Sequence, residues 1–446
     1  MAVDVVIRGG GVVSPGGVVE ANVVVDGGLV VSVGEAGDEH ARETIDAEGC
    51  VVLPGVIDPH VHFNEPGRAD WEGFATGSAA LAAGGGTCFF DMPLNSDPPL
   101  LTAGAFDAKR AAGEARSRTD FGLWGGLTPQ SVDRMEEQAE RGVVGFKAFM
   151  CDSGIAEFGA ADERTLRAGM AKAAALGRLV GVHAESAAMT AERAAECRRA
   201  GKTGWRDFLW SRPVEAELEA VELAIDIAAD TGCRLHVVHV SHPTVAEAVV
   251  AARASRGVDV TSETCPHYLA FCDDDLVRLG GVAKCAPPLR DAGAVRGMWA
   301  VLGAGAFAFV GSDHSPCPAA MKVGDDAFSV WGGVAGVQST LGVVLNRVDE
   351  LGLERIAALT AARAADRFGV PGKGRVAEGY DADLTLVDLD ASYTLSREML
   401  KDRHRQSPYV GMHFRGVVTR TLVRGQTVWR DGQAVGEPIG RLVTPA

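Results

Sequence analysis

The sequence predicts an α/β fold: a closed (β/α)8 barrel of the TIM type, with a small β-rich domain built from both chain ends. Three observations lead to this prediction. The chain has 446 residues, enough for one large domain and a smaller one. Through its middle, apolar β-rich runs alternate with Ala-rich helical stretches, a pattern typical of a parallel sheet with crossover helices. Both ends instead contain short strand patterns separated by Gly-rich turns.

Eight β-rich runs in the middle of the chain predict the eight strands of the barrel. In chain order they are GVIDPHVHF, GTCFFDMPL, DFGLWGGL, GFKAFM, LVGVHAE, LHVVHVS, VDVTSETCPHY and FAFVGSDH. Helical stretches such as TLRAGMAKAAALG and ELEAVELAIDIAADTG lie between most of them. Eight such units match the number that closes a barrel. The predicted barrel therefore spans residues 55–374, and the small domain comprises residues 1–54 and 375–446.

Composition narrows the possible partners and the compartment. Hydrophobic residues make up 47% of the chain and charged residues 23%, as in soluble globular proteins. The net charge of −16 repels phosphate backbones and anionic membranes, so we expect neither nucleic acid nor a membrane as a partner. Nine cysteines without CxxC spacing, after a start unlike a signal peptide, indicate reduced thiols and a cytoplasmic protein.

Six residues that could bind metal ions or act in catalysis fall near the ends of five predicted strands. They are His60 and His62 in the first run, Lys147 in the fourth, His183 in the fifth, His239 in the sixth and Asp313 in the eighth. Residues two apart in a strand face the same side, and barrel active sites lie where the strands end. A single histidine of this kind is more often a packed core residue. Six together would bury many polar groups on one side of one barrel, which packing does not explain.

The residue types indicate a metal site. Imidazole and carboxylate groups suit a divalent metal such as Zn²⁺, and this many ligands favours two ions over one. Lys147 is the unusual member, because a protonated amine does not bind a cation. Its neutral form can react with CO₂ to give a carbamate, an anion with two oxygens that two adjacent metal ions would stabilise.

These motifs resemble those of the cyclic amidohydrolases of the amidohydrolase superfamily, and the resemblance covers essentially the whole chain. In that family, the corresponding residues bind two metal ions, and a hydroxide between the ions attacks a ring amide. By this resemblance the metal ligands are His60, His62, Lys147 as N6-carboxylysine, His183, His239 and Asp313. Zn²⁺ is the default metal, and Co²⁺, Mn²⁺ or Fe²⁺ could occupy the same ligands.

The resemblance also implies that Asp313 carries the proton from the hydroxide to the leaving nitrogen. It implies further that the chain forms a homo-oligomer, with a tetramer favoured.

Longer stretches resemble one branch of this family, the allantoinases. They are HVHFNEPGR, WEGFATGS, DMPLNSDPP, GFKAFMCDSGI, SETCPHYL, KCAPPLR, SDHSPC and WGGVAGVQ. The resemblance implies hydrolysis of the hydantoin ring of allantoin to allantoate, a step of purine breakdown. Dihydroorotases usually carry Arg two residues past the HxH motif, where this chain has Asn64. Hydantoinases and dihydropyrimidinases usually show Tyr shortly after the modified lysine, where this chain has Cys151 and Asp152.

Two alternatives to this assignment stay open. One is a hydantoinase or dihydropyrimidinase with unusual pocket loops, which the turnover of substituted hydantoins would distinguish. The other is a non-enzymatic assembly or signalling protein of this fold. That alternative predicts replaced metal ligands, and none of the six is replaced.

Several further residues are candidates for roles around the metal ligands. Asn64, Asn95 and Ser315 are candidate substrate contacts, although the two asparagines are equally explained as residues that tie down loops. His242 and His314 lie next to ligands and are candidates to orient them, whereas His267 is assigned a structural role. The cysteines near the site are Cys151, Cys285 and Cys317. None has an evident histidine partner, so we expect no nucleophilic thiol.

Overall fold

The computed structural model describes residues 2–34 and 40–446, which contain twenty strands. Seven precede the barrel: β1 (Val3–Arg8), β2 (Gly11–Ser14), β3 (Gly17–Glu20), β4 (Asn22–Asp26), β5 (Leu29–Gly34), β6 (Ala41–Asp46) and β7 (Cys50–Pro54). Nine build the barrel: β8 (Val56–Val61), β9 (Gly86–Asp91), β10 (Asp120–Leu123), β11 (Gly125–Gly126), β12 (Phe146–Phe149), β13 (Val180–His183), β14 (Leu235–Val237), β15 (Val260–Thr264) and β16 (Phe309–Val310). Four follow it: β17 (Leu384–Thr394), β18 (His413–Val423), β19 (Gln426–Arg430) and β20 (Gln433–Ala434).

The barrel strands are all parallel and follow one another in chain order. β10 and β11 form a single barrel position interrupted at Trp124, because β10 pairs with β9 and β11 pairs with β12. The barrel closes between its last and first strands, where the Ser312 amide donates to Oδ1 of Asp58 at 3.0 Å. Each of the eight runs identified in the sequence is thus a barrel strand, and the predicted fold class is confirmed.

Fifteen α-helices lie between and beyond these strands in the described chain. They are α1 (Phe74–Ala83), α2 (Ala103–Arg116), α3 (Met135–Arg141), α4 (Glu163–Ala175), α5 (Ala187–Arg199), α6 (Trp205–Ser211), α7 (Val214–Thr231), α8 (Pro243–Arg256), α9 (Pro266–Ala270), α10 (Asp273–Leu279), α11 (Ala292–Gly303), α12 (Thr340–Leu345), α13 (Val348–Leu351), α14 (Leu353–Ala357) and α15 (Arg363–Phe368). None of them combines the length and the apolar character that crossing a bilayer requires.

The remaining strands form two sheets beside the barrel. A seven-stranded sheet has the order β20-β19-β18-β17-β7-β2-β3, and a four-stranded sheet has the order β5-β4-β1-β6. The larger sheet joins the two ends of the chain, because β7 pairs with β17 over Cys50–Pro54. Apolar residues from both ends, such as Ile7, Val52 and Leu384, share one buried cluster. The division of the chain at residues 54 and 375 stays a prediction.

A buried lysine, Lys373, connects the barrel to these sheets. Its Nζ lies 2.6 Å from Asp120 at the start of β10 and 2.7 Å from both Asp381 and Asp383, which precede β17. Arg424 adds a second ion pair to Asp120. Burial acts to lower the pKa of Lys373, but the surrounding carboxylates outweigh it and hold that pKa above its ordinary value. Lys373 is therefore charged, and the carboxylates around it offset its charge.

We predict that Lys373→Met lowers the stability of the whole chain. The substitution leaves several buried carboxylates without their cation, which costs roughly 3–5 kcal/mol of unfolding free energy. The measurement is the midpoint of thermal unfolding by circular dichroism. The control is Lys172→Met, which removes a partly exposed lysine whose partner Glu136 is exposed. Equal midpoints for the two variants would show that the network contributes little to stability.

Candidate metal centre

The six predicted ligand residues all lie at the carboxyl end of the barrel and line one cavity of about 620 Å³. His60 lies within β8, Lys147 within β12 and His183 at the end of β13, whereas His62, His239 and Asp313 follow β8, β14 and β16. All are buried except Asp313, whose side chain is 13% exposed. Parallel strands place their carboxyl ends on one side of the barrel, so residues distant in sequence meet there.

The donor atoms fall into two close groups. Oδ1 of Asp313 lies 3.3 Å from Nε2 of His60 and 3.2 Å from Nε2 of His62. Nδ1 of His183 lies 3.0 Å from Nε2 of His239. His60, His62 and Asp313 form a group whose ligand atoms are close enough to share one ion. Imidazole and carboxylate are typical ligands of divalent first-row metals.

Three buried atoms of the six residues have no hydrogen-bond partner, which supports a cation site. They are Nε2 of His60, Nδ1 of His239 and Nζ of Lys147. Such atoms are rare in folded proteins, because burying a polar group without a partner costs free energy. Burial lowers the pKa of Lys147 to about 8, although Asp313 and Glu263 oppose the shift. The residues therefore fit a divalent metal, with Lys147 placed to join the ligand set.

Glu263 on β15 supports the first histidine from behind. Its Oε1 lies 2.5 Å from Nδ1 of His60, and its Oε2 lies 3.3 Å from Nε2 of His236. Burial acts to raise the pKa of Glu263, but the two imidazoles outweigh it and lower that pKa to about 2. A carboxylate that accepts from Nδ1 leaves the lone pair of Nε2 directed at a metal. The sequence analysis missed Glu263, although an acid inside the strand run SETC is itself an unusual signal.

Glu185 gives similar support to the second pair of histidines. Its Oε2 lies 2.9 Å from Nε2 of His183, and Arg212 forms an ion pair with the same carboxylate. The thiol of Cys151 lies beside His183 and Glu185. Burial acts to lower the pKa of His183, but Cys151 and Glu185 together raise it to about 9. The expectation that Cys151 has no histidine neighbour was therefore wrong, since position in the sequence does not show the proximity of β12 and β13.

The backbone of Asp313 is held in an unfavourable conformation by its neighbour His314. Asp313 has φ 45°, in the left-handed region that non-glycine residues rarely adopt. Nδ1 of His314 accepts from the Gly336 amide at 3.2 Å, and its Nε2 lies 3.3 Å from Glu72. The carbonyl of His314 also accepts from the His62 amide at 2.8 Å. His314 thus fixes the chain on both sides of the site.

The other two histidines singled out in the sequence take different places. His242 caps α8, where its Nδ1 accepts from the Thr244 amide at 3.3 Å, so its recorded contact is to backbone and not to a ligand. His267 is buried, and neither ring nitrogen has a hydrogen-bond partner. Burial lowers the pKa of His267 to about 4, so the ring is neutral.

The structure brings two of the three candidate substrate contacts to the cavity. Asn95 and Ser315 line it, and Nδ2 of Asn95 lies 3.4 Å from Nδ1 of His62 while its Oδ1 has no partner. Asn64 does not line the cavity. It is fully buried with φ 62°, and its carbonyl accepts from the Arg68 amide at 3.1 Å. Its geometry is that of a loop residue, since Asn tolerates this conformation better than most residues.

Comparisons with known proteins place this site in a family. Residues 51–428 match the amidohydrolase family. The chain is 53% identical to an allantoinase from Rubrobacter xylanophilus, with 100% of this chain and 98% of the relative covered. It is 50% identical to an allantoinase from Deinococcus radiodurans (100% and 99% covered) and 39% identical to one from Escherichia coli (96% and 96%).

Solved structures of the same fold carry a related name. An L-hydantoinase (dihydropyrimidinase) from Arthrobacter aurescens matches with a TM-score of 0.96 at 33% identity, covering 99% of this chain and 100% of that one. A dihydropyrimidinase from Brevibacillus agri matches with a TM-score of 0.92 at 31% identity, with 99% of each chain covered. The predicted family and barrel fold are confirmed.

We predict that Glu263→Gln weakens metal binding by about 10- to 100-fold. The substitution removes the negative charge that orients His60, while the size of the side chain stays nearly the same. The measurement is metal content per chain after dialysis against a graded series of chelator concentrations. Glu247→Gln, at an exposed position on α8, is the matched control. Metal retention equal to that of the control would show that Glu263 does not support the site.

Proposed function

The chain belongs to the amidohydrolase family, and we propose that it is a metal-dependent hydrolase that opens the hydantoin ring of allantoin to give allantoate. One observation carries this proposal. A chain about half identical to curated allantoinases over its full length also brings all six expected ligand residues into one cavity. We further propose that the enzyme is cytoplasmic and homo-oligomeric, with a tetramer favoured.

The proposed metal centre uses the two groups of donor atoms. His60, His62 and Asp313 would hold one divalent ion, and His183 and His239 would hold a second, with the modified Lys147 serving both. Zn²⁺ is the default, and Co²⁺, Mn²⁺ or Fe²⁺ suit the same ligands. When bound, such ions lower the pKa of water and polarise the carbonyl that is attacked.

Lys147 would enter this ligand set as a carbamate. The lone pair of its neutral amine forms a bond to the carbon of CO₂, and one proton leaves the nitrogen, so that the product is an N-linked carboxylate. The amine is fully buried and has no hydrogen-bond partner that competes for its lone pair. The conversion replaces a cation, which opposes metal binding, with an anion that favours it.

Asp313 is the proposed proton carrier. Burial acts to raise its pKa, but the imidazoles of His60, His62 and His239 outweigh it and hold that pKa well below the ordinary range. The carboxylate is therefore ionised, and in this proposal its free lone pairs accept one proton of the attacking water. It then gives that proton to the ring nitrogen as the carbon–nitrogen bond breaks, which yields a carboxylate and a ureido group.

The substrate contacts proposed for this reaction are Asn95 and Ser315. Both line the cavity, and the free Oδ1 of Asn95 can accept from a ring or ureido N–H. A site with such partners rejects analogues that lack the matching groups. We assign Asn64 to support of the loop after β8.

Hydantoinase activity is the second candidate, because the solved neighbours with TM-scores of 0.96 and 0.92 carry hydantoinase and dihydropyrimidinase names. The chain departs from the pattern of those enzymes after the modified lysine. Asp152 lines the cavity there, in a loop without tyrosine. Relative turnover of the two ring types distinguishes the candidates.

We predict that protein purified with bicarbonate and Zn²⁺ hydrolyses racemic allantoin with a kcat/KM at least about tenfold above that for hydantoin or dihydroorotate. Asp313→Asn should lower kcat at least about 100-fold, because the proton carrier is lost. Asp390→Asn, at an exposed position, should leave turnover unchanged. Faster turnover of hydantoin would favour the second candidate. Turnover of none of the three rings by metal-loaded protein would contradict both candidates.

We also predict that Lys147 carries the carbamate. Protein prepared with carbon-13 bicarbonate should show one carbamate carbon resonance by NMR, and Lys147→Met should abolish it and lower metal content. Lys172→Met, on α4, should retain both the resonance and the metal. A resonance that persists in Lys147→Met would assign the modification to another residue, and a fully active wild type without it would disprove the modification.

A further inference from the structure

One side of the substrate cavity is a loop segment that we call the cavity wall, Asp326–Gly333. It belongs to the loop that follows Asp313. Its cavity-lining residues are Phe328, Ser329, Val330, Trp331, Gly332 and Gly333. At its end, Gly333 has φ 140°, and a Cβ there would lie 2.3 Å from the carbonyl oxygen of Ser315. The wall therefore packs directly against the chain segment that carries Asp313.

Two buried lysines donate hydrogen bonds to carbonyl groups of this wall. Nζ of Lys284 donates to the carbonyl of Val330. Nζ of Lys322 donates to the carbonyl of Trp331 at 3.1 Å and to that of Gly333. The two lysines are only 6% and 7% exposed. Three of the last four carbonyl groups of the wall are thus held by ammonium groups.

These lysines differ from the other buried lysines that hold structure together. Lys109 and Lys373 each have a carboxylate oxygen at 2.7 Å or less, whereas the hydrogen-bond partners recorded for Lys284 and Lys322 are backbone carbonyls. A neutral carbonyl compensates a buried charge less well than a carboxylate does. Buried lysine without a carboxylate is uncommon, which indicates a role other than general stability.

The electrostatic surroundings agree with this contrast. Burial lowers the pKa of Lys284 to about 7, with Arg212, Lys322 and Arg198 acting in the same direction and Asp326 against it. Burial also lowers the pKa of Lys322 to about 8, against the effect of Cys317 and Cys285. Water would solvate both ammonium groups better if the wall moved away. The carbonyl groups of the wall therefore hold the two lysines in place, and the lysines in turn hold the wall.

The end of the wall, residues 330–333, is attached mainly through the same two lysine-bearing segments. The Gly333 amide donates to the carbonyl of Lys284 at 2.7 Å, and the Trp331 amide donates to that of Met321 at 2.9 Å. The ring of Trp331 meets that of Trp71 edge-on at 4.9 Å, and its Nε1 has no partner. The start of the wall is held separately, because the Ala327 amide donates to the carbonyl of Thr203 at 2.8 Å and the ring of Phe328 meets that of Phe208 edge-on at 6.0 Å. Losing the lysine donors would therefore loosen residues 330–333.

We propose that Lys284 and Lys322 are positioning residues that fix the cavity wall and thereby set the shape of the substrate cavity. Neither residue takes part in bond making. Lys284 lines the cavity itself and also holds Val330, whereas the effect of Lys322 passes through Trp331 and Gly333 and through the contact of Gly333 with Ser315. The inference rests on the proposed function only for the identity of the substrate.

Hydrogen exchange tests the structural part of this proposal without any substrate. Metal-loaded, full-length Lys284→Met and Lys322→Met are compared with wild type, because methionine keeps the aliphatic stem and removes the donors. We expect amides of residues 330–334 to exchange at least about tenfold faster in both variants, with β12 unchanged. Lys202→Met, which removes an exposed lysine, is the control. Unchanged exchange in the wall would overturn the proposal.

Kinetics test the effect on the substrate cavity. We expect the Met variants to raise KM for allantoin about tenfold, with kcat changed less than about threefold and metal content unchanged. Lys284→Arg and Lys322→Arg, which keep a donor, should recover part of the loss. A lower kcat with unchanged KM would overturn the positioning role. If wild type does not hydrolyse allantoin, the exchange result still decides the structural claim, and if one Met variant does not fold, exchange in the other Met variant decides it.

Discussion

Several ionisable side chains must be held out of water within a few ångströms of one another, and the rest of the structure is arranged around that constraint. Histidines so placed cannot all become protonated, because their charges would repel in a medium of low dielectric constant. Glu263 and Glu185 reduce this repulsion, because each has an oxygen within hydrogen-bond distance of the imidazole of a candidate ligand. Glu185 is in turn compensated by Arg212. The barrel thus places carboxylates behind the histidines that are candidate metal ligands.

The buried lysines of the described chain are of two kinds. Those paired with carboxylates stabilise the fold, and those without a carboxylate partner lie at or beside the cavity. Lys109 lies 2.7 Å from Asp91, and Lys373 is surrounded by three carboxylates, so both are fully compensated parts of the fold. Lys147, Lys284 and Lys322 have no such carboxylate partner, and burial lowers the pKa of each. All three lie at or beside the cavity. A buried charge without a full partner lowers stability. A role at the site therefore explains the position of these lysines better than stability does.

The sequence predicted the barrel well because the barrel depends on local pattern, an apolar run followed by a helical stretch. The six candidate ligands lie in or just after such runs, and their role stays a prediction. Glu185 was missed because an acid two residues after His183 in HAE resembles any solvent-exposed acid until the strands are packed together. Glu263 lies in a run without a candidate ligand, so its contact with His60 is visible only in the packed barrel. The contact between Lys284 and Val330 was not predictable, since the acceptor is a backbone carbonyl 46 residues away and leaves no mark in the sequence. Asn64 was given two explanations; its side chain does not line the cavity, and its amide atoms have no hydrogen-bond partner, so neither explanation is confirmed.

The barrel alone does not decide which ring is opened, because an L-hydantoinase superposes on this fold with a TM-score of 0.96 at 33% identity. Two loops meet at the mouth of the cavity. A Cβ built on Gly154, in the loop after β12, would lie 3.8 Å from the ring of Trp331 in the cavity wall. That loop carries Asp152, whose Oδ1 accepts from the Gly154 amide at 3.0 Å. A shift of the wall would therefore reach the loop in which this chain departs from the hydantoinase pattern.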